Sequence, residues 1–284
     1  MKIRDLSGYS GCEISLMQDR GVVFVRKTSG SPTYNDRLSK QCEKQRNYSS
    51  KFLKAPIVLD SGLTPSGKFF FDMQYIKGVT LAKYIETIDS ASIQNLVDII
   101  SDSINAQKNI ILNPKINTQE IFENKILSLS EETKSSNNQL LKTALQTLSQ
   151  KDWSHFENTF CHGDMTLENI IVSNGQLYLI DFLDSFYDSW LLDVGKLLQD
   201  LQCMWSYRRK GGPNQNAKIR LLIFRKLLLQ SLCFDKTIFV DSYYALLLSL
   251  TRIYPYAKDK ETMDFLDSNV TAVLNLLSKG GENE

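Results

Sequence analysis

The sequence predicts an α+β protein in which a small β-rich region precedes a larger helical region. Up to residue 77 the apolar runs are short and rich in β-branched and aromatic residues, which favours strands. After Gly78 apolar residues recur at helical spacing over long segments. We therefore predict two lobes, an N-lobe over residues 1–77 and a C-lobe over residues 78–284.

The N-lobe elements follow from apolar runs and the turn residues between them. Strands are predicted at residues 22–25, 57–59 and 69–76, and the sequence Pro65-Ser66-Gly67 predicts a turn. Ser31-Pro32 ends the first strand, and residues 35–52 have the spacing of a helix. In the C-lobe we predict helices at residues 81–88, 93–111, 118–129, 140–148, 191–207, 217–233, 239–254 and 263–277.

A predicted hairpin interrupts the helices and carries the most informative polar residues. Two short apolar runs, residues 170–172 and 177–180, flank the turn Ser173-Asn174-Gly175. Asp164 and Asn169 precede the hairpin and Asp181 follows it. This spacing suits phosphoryl transfer, with Asp164 accepting a proton from a hydroxyl and the other two side chains holding Mg²⁺. The alternative is that these residues only cap a loop.

Composition narrows the class of protein. The net charge of +1 does not support a broad surface for nucleic acids or membranes. Five scattered cysteines and an N-terminus without a signal peptide favour the cytoplasm. The most apolar stretch, residues 221–234, is too short to span a bilayer and contains Arg225 and Lys226. We expect no nucleic-acid partner and no membrane span; the oligomeric state is not predicted.

The motif H-G-D-x-x-x-x-N at residues 162–169, followed by I-D-F at residues 180–182, resembles the aminoglycoside-phosphotransferase and choline-kinase type of small-molecule kinase. The resemblance implies a bilobal protein-kinase-like fold and transfer of the γ-phosphoryl group of ATP, or of GTP, to a hydroxyl. It implies that Asp164 is the catalytic base and that Asn169 and Asp181 are the Mg²⁺ ligands. His162 and Asp193 resemble the residues that support the catalytic loop.

In the N-lobe the resemblance implies a nucleotide-binding surface. Lys27 resembles the strand lysine that binds phosphates, and strand alternation places Arg26 on the opposite face. Its carboxylate partner would be Glu43 or Glu13, although Lys27 and Glu43 could instead be solvated surface charges. The remaining nucleotide contacts that the resemblance implies come from a shortened glycine loop and from a hinge: Ser10, Gly11, Met73, Gln74 and Tyr75.

Departures from protein kinases favour a small acceptor. Gly163 stands where protein kinases have Arg, and no A-P-E segment follows Asp181. Asp184, Asp188 and Trp205 are candidate acceptor-binding residues, and the two carboxylates would favour a cationic or polyhydroxylated acceptor. We favour a sugar or polyol, with choline, ethanolamine or an aminoglycoside as alternatives. A non-catalytic nucleotide-binding protein on the same fold is the alternative of another class.

Overall fold

The computed structural model describes residues 1–6, 11–232 and 236–280. The chain divides into two compact units, Met1–Leu81 with Asn169–Asp184 and Ala82–Glu168 with Ser185–Glu284. The first unit is built mainly from strands and the second mainly from helices. This architecture confirms the predicted α+β fold class with a β-rich and a helical lobe.

The first unit contains an antiparallel sheet with the strand order β1-β2-β3-β5-β4 among the described residues. Helix α1 packs on this sheet, and Leu38 and Cys42 of the helix form a buried cluster with Phe71 and Met73. The apolar spacing in the helix therefore supplies the contact that holds it to the sheet. The elements are β1 (Lys2–Leu6), β2 (Cys12–Asp19), β3 (Val22–Ser29), α1 (Asn35–Asn47), β4 (Val58–Leu63) and β5 (Phe69–Gln74).

A second antiparallel sheet places the predicted hairpin in the first unit. Its strands are β6 (Val79–Thr80), β7 (Ile170–Ser173) and β8 (Gln176–Leu179), in that order. Lys54 extends the contact, since its N–H donates to the Leu177 carbonyl at 3.0 Å and its carbonyl accepts from the Leu179 N–H at 2.7 Å. Our domain prediction had assigned the hairpin to residues 78–284. The structure differs because these hydrogen bonds join segments that are far apart in sequence.

The second unit is helical. Its helices are α2 (Leu81–Ile85), α3 (Ser92–Lys108), α4 (Thr118–Glu132), α5 (Gln139–Ser149), α6 (Trp190–Leu201), α7 (Gln215–Leu232), α8 (Lys236–Thr251) and α9 (Lys260–Ser278). Helix α6 ends earlier than predicted, because Met204 adopts a left-handed conformation with φ of 60° before the 3-10 turn Trp205–Lys210. No helix among the described residues is both long and apolar enough to cross a membrane.

The close approach of α6 and α8 depends on a glycine. A Cβ atom at Gly195 would lie 2.7 Å from the carbonyl carbon of Ala245 and 2.8 Å from its Cβ. Such distances are too short for carbon atoms in contact, so any larger residue would push the helices apart. Because Asp193 and Lys196 lie on the same helix as Gly195, this packing positions two polar side chains of the candidate site.

Candidate active site

The backbone of the predicted catalytic loop is held by a buried carboxylate at the start of α6. The two oxygens of Asp193 accept hydrogen bonds from the N–H groups of His162, at 2.5 Å, and Gly163, at 2.8 Å. Gly163 has a φ of 91°, a conformation that residues with a side chain rarely adopt. The glycine therefore meets a conformational requirement of the loop, in addition to lacking the arginine of protein kinases.

His162 also supports the loop from inside. Its side chain is fully buried, and Nδ1 accepts a hydrogen bond from the backbone N–H of Asp164 at 3.2 Å. An Nδ1 atom that accepts a hydrogen bond carries no proton, so the contact defines the tautomer of the ring. The imidazole thereby fixes the backbone of the residue that we predict to act as the base.

Lys196 is a neighbour of Asp164 that the sequence did not predict. Its Nζ atom lies 3.1 Å from Asp164 Oδ1, and it also donates to Gln199 Oε1 at 3.2 Å. The Asp164 side chain is 29% exposed and that of Lys196 is 15% exposed, so the pair is partly shielded from water yet accessible to a small molecule. The sequence signal that could have identified Lys196 is its spacing from Asp193, because residues three apart in a helix lie about one turn apart on the same face.

Asp200 supports the other end of the loop and was likewise missed. Its carboxylate accepts hydrogen bonds from the N–H groups of Leu167 and Ser206, both at 2.7 Å. The side chain is fully buried, and this burial raises the pKa of Asp200 to about 6 although the backbone hydrogen bonds oppose the shift. Asp193 and Asp200 thus fix the two ends of the loop from one helix.

In the first unit Lys27 is buried and bonds two side chains. Its Nζ atom contacts the carboxylate of Asp181 and donates to Gln41 Oε1 at 3.1 Å. Gln41 of α1 therefore makes the contact with Lys27 that we predicted for Glu43. The side chain of Glu43 is exposed. The predicted Lys27–Glu43 pair is therefore wrong, because the buried face of α1 presents the amide of Gln41.

Two other charges near Lys27 have structural partners of their own. Arg26 points to the opposite face of the sheet, where Nε and Nη2 both lie 2.7 Å from the carboxylate of Asp72. Glu13, the alternative partner of Lys27, instead accepts a hydrogen bond from Lys68 at 3.0 Å. These pairs leave Lys27 as the buried cation next to Asp181.

The two predicted metal ligands come from opposite sides of the hairpin. The Ile180 N–H donates to the Asn169 carbonyl at 2.9 Å, which places Asp181 one residue beyond the pairing partner of Asn169. Asp181 has a left-handed φ of 63° and its side chain is 37% exposed, so a cation can approach it. Amide and carboxylate oxygens are the ligand types that suit Mg²⁺. The donor set therefore fits Mg²⁺.

The structure describes four of the five other predicted nucleotide contacts. Ser10 lies outside the described residues, while the Gly11 carbonyl accepts from the Gly30 N–H at 3.0 Å. Met73 is buried against α1, and the Gln74 N–H donates to the Ile57 carbonyl at 2.9 Å. The backbone N–H of Gln74, one of the predicted hinge residues, therefore already has a hydrogen-bond partner within the first unit. Tyr75 follows β5 and is half-buried.

The three candidate acceptor residues lie in different surroundings. Asp188 accepts a weak hydrogen bond from Cys161 Sγ at 3.3 Å. The guanidinium carbon of Arg208 lies 3.5 Å from the centre of the Trp205 ring. Asp184 belongs to the first unit and is half-buried. The described partners of Asp188 and Trp205 are thus Cys161 and Arg208, both in the second unit.

The sequence matches the model of the phosphotransferase enzyme family over residues 50–220, which is more than half of the chain. The chain belongs to this family. It is a kinase that transfers a phosphoryl group to a hydroxyl of a small molecule. No sequence of a curated protein matches this phosphotransferase.

Solved structures resemble the phosphotransferase in fold. A thermostable mutant of aminoglycoside phosphotransferase APH(4)-Ia, in a ternary complex with ADP and hygromycin B, is 14% identical with a TM-score of 0.65, covering 99% of this chain and 94% of the other. A putative fructosamine-3-kinase from Haemophilus somnus 129PT is 13% identical with a TM-score of 0.64, covering 96% and 92%. Amicoumacin kinase hAmiN, in complex with AMP-PNP, Ca²⁺ and Ami, is 17% identical with a TM-score of 0.64, covering 96% and 87%.

Proposed function

We propose that this phosphotransferase moves the γ-phosphoryl group of ATP to a hydroxyl of a small metabolite, with Asp164 as the catalytic base. The observation that carries the proposal is the fixed position of Asp164, whose N–H is bonded to His162 and whose loop is anchored by Asp193. Positioning is the main requirement for phosphoryl transfer, because the transition state needs little covalent help from the protein.

Asp164 would orient the acceptor hydroxyl and accept its proton as the new bond to phosphorus forms. Its carboxylate is partly exposed, so a hydroxyl can reach it, and Lys196 keeps the carboxylate in one orientation. Lys27 would bind phosphate oxygens from its buried position at the end of β3. To do so it must share or exchange the carboxylate of Asp181 with the incoming phosphates.

Asn169 and Asp181 would hold Mg²⁺, which supplies charge neutralisation to the phosphates when it is bound. We extend the nucleotide site to Ser10, Gly11 and the hinge residues Met73, Gln74 and Tyr75, with ATP as the donor and GTP as an alternative. A division of function belongs to the same proposal: the first unit, which includes the hairpin, would bind the nucleotide, and the second unit would bind the acceptor. The complexes of related folds with ADP and AMP-PNP support a nucleoside triphosphate donor.

The test is phosphoryl transfer from ATP to a panel of sugars, polyols, choline, ethanolamine and aminoglycosides. Asp164→Asn should reduce kcat by at least about 100-fold, since a general base contributes 10²–10⁴-fold. Glu168→Gln changes an exposed carboxylate in the same loop and is the matched control, for which we expect the parental rate. Turnover that survives Asp164→Asn would show that this mechanism is wrong.

The sequence alone left open a non-catalytic nucleotide-binding protein, an alternative that membership of the phosphotransferase family opposes. It would bind ATP without Mg²⁺ and transfer no phosphate to any acceptor. The partly exposed carboxylate of Asp181 favours the catalytic alternative, because a scaffold does not need an accessible metal ligand next to Lys27. Calorimetric titration of ATP with and without Mg²⁺ separates the two functions.

A further inference from the structure

A small cavity in the helical unit is lined in part by Lys196, the partner of the candidate base Asp164. It has a volume of about 150 Å³, and its polar wall consists of Lys125 and Glu132 of α4, Lys196 of α6, Ser249 near the end of α8, and Arg252. Leucine, isoleucine and tyrosine side chains complete the lining. A cavity of this size admits a single functional group or a very small molecule rather than a whole sugar.

The charge of this wall is unbalanced. Three cationic side chains line the cavity with one carboxylate, which belongs to the exposed Glu132. Counting also Asp164, the partner of Lys196 outside the lining, three positive charges stand against two negative ones. Burial lowers the pKa of Lys125, and the nearby positive charge of Arg252 lowers it further. The guanidinium of Arg252 lies 5.2 Å from the centre of the Phe186 ring, which limits its movement. Held cations that repel one another are a favourable environment for an anion.

Lys196 connects the cavity to the reaction site. Lys196 lines the cavity, and its Nζ atom lies 3.1 Å from Asp164 Oδ1. An acid oxygen that accepts a hydrogen bond from the same Nζ atom would lie within roughly 6 Å of Asp164, two hydrogen-bond lengths away. A hydroxyl only a few bonds from that acid group can therefore reach the candidate base.

We propose that the acceptor of this phosphotransferase carries an acid group, a carboxylate or a phosphate, a few bonds from the hydroxyl that is phosphorylated. Lys125, Lys196 and Arg252 bind the acid group in the cavity, and Asp164 receives the hydroxyl. The proposal rests on the proposed kinase function and specifies its acceptor. It keeps our expectation of a hydroxyl-bearing acceptor but replaces the cationic alternative, because neither Asp184 nor Asp188 lines the cavity.

The first experiment compares four three-carbon acceptors that differ in charge. Glycerol is neutral, glycerate carries a carboxylate, glycerol 3-phosphate carries a phosphate, and serinol carries an ammonium group. We expect kcat/KM for the better of the two acids to exceed that for glycerol by about tenfold or more, which corresponds to one charge-assisted hydrogen bond. Serinol should be the poorest acceptor. The ratio between glycerate and glycerol 3-phosphate identifies which acid group the cavity prefers.

The second experiment changes the charge of the wall in both directions. Lys125→Gln and Arg252→Gln should each raise KM for the acidic acceptor by about tenfold and leave KM for glycerol nearly unchanged. Glu132→Gln should lower KM for the acidic acceptor, because it removes the opposing charge. Lys142→Gln, an exposed lysine of α5 outside the cavity, is the control. Effects of opposite sign cannot arise from general loss of folding.

The outcomes distinguish this proposal from the proposed function. If serinol or glycerol is phosphorylated as efficiently as both acids, the kinase function stands and the acidic acceptor is refuted. If no compound is phosphorylated, calorimetric binding of the four compounds decides: selective binding of an acid that Lys125→Gln weakens supports the cavity assignment. Equal binding of the acids and glycerol would overturn it.

Discussion

Replacing Asp200 by asparagine should remove a defined pH dependence from the stability of the protein. The side chain is fully buried, and its pKa of about 6 exceeds the ordinary value of 3.8. Between these two pH values the Asp200 side chain is therefore protonated in the folded state and ionised in the unfolded state. Stability is greatest below the lower value and falls as pH rises towards 6. This difference of about two between the pKa values of the folded and unfolded states corresponds to roughly 3 kcal/mol in the free energy of unfolding.

The assay is urea unfolding of the parent and of Asp200→Asn at intervals from pH 4 to pH 7. The difference between the two free energies cancels the other titrating groups, and we expect it to change by roughly 2 kcal/mol in favour of the variant between pH 4 and pH 7. At low pH the variant should be less stable than the parent. The NH2 group of the introduced amide cannot accept a hydrogen bond, so the backbone N–H of either Leu167 or Ser206 loses its acceptor. Asp264→Asn, on the exposed face of α9, shows the effect of removing a surface carboxylate. A difference that is constant over this range would refute the reasoning.

Three further changes test the support of the site. Asp193→Asn should lower kcat by about tenfold or more while KM for ATP changes little, since it removes one charge-assisted hydrogen bond from the catalytic loop; steady-state kinetics check the split, and a change confined to KM would contradict it. Gly195→Ala should destabilise the protein by about 1–3 kcal/mol by overpacking α6 against α8, measured as a lower Tm. Gln41→Glu should attract Lys27 away from Asp181 and lower the Mg²⁺ concentration for half-maximal activity several-fold; an increase would count against the assigned ligand.

Local patterns predicted the fold class and most helices, because these depend on residues close in sequence. The helix predicted over residues 93–111 corresponds to α3, Ser92–Lys108, and the hairpin to β7 and β8. The early end of α6 was not predictable, since apolar residues continue past Leu201 and only the left-handed Met204 interrupts the helix. The assignment of the hairpin to the first unit depends on strand pairing with residues 54 and 79–80, which no local pattern encodes.

The side-chain partners of the candidate site residues could not be predicted from the motifs. A motif identifies Asp164 and Asp181, but the side chains that touch them come from elsewhere in the chain. Glu43 was a reasonable partner for Lys27 by charge, yet the helix buries Gln41, two residues earlier. Charge complementarity alone was the wrong criterion, because Leu38 and Cys42 mark the buried face of α1 and Gln41, not Glu43, lies on that face.

Each candidate carboxylate of the reaction already has a lysine, and each pair lies within one unit. Lys27 contacts Asp181 in the first unit, and Lys196 contacts Asp164 in the second. A phosphate group entering either position brings negative charge to a site where the lysine has to divide its hydrogen bonds between two anions. Because an ammonium group has three donors, it can bridge a carboxylate and a phosphate or acid oxygen without losing the first contact. Arginine, with its planar fork, would favour one bidentate partner, so the choice of lysine at both positions fits ligands that arrive and leave during turnover.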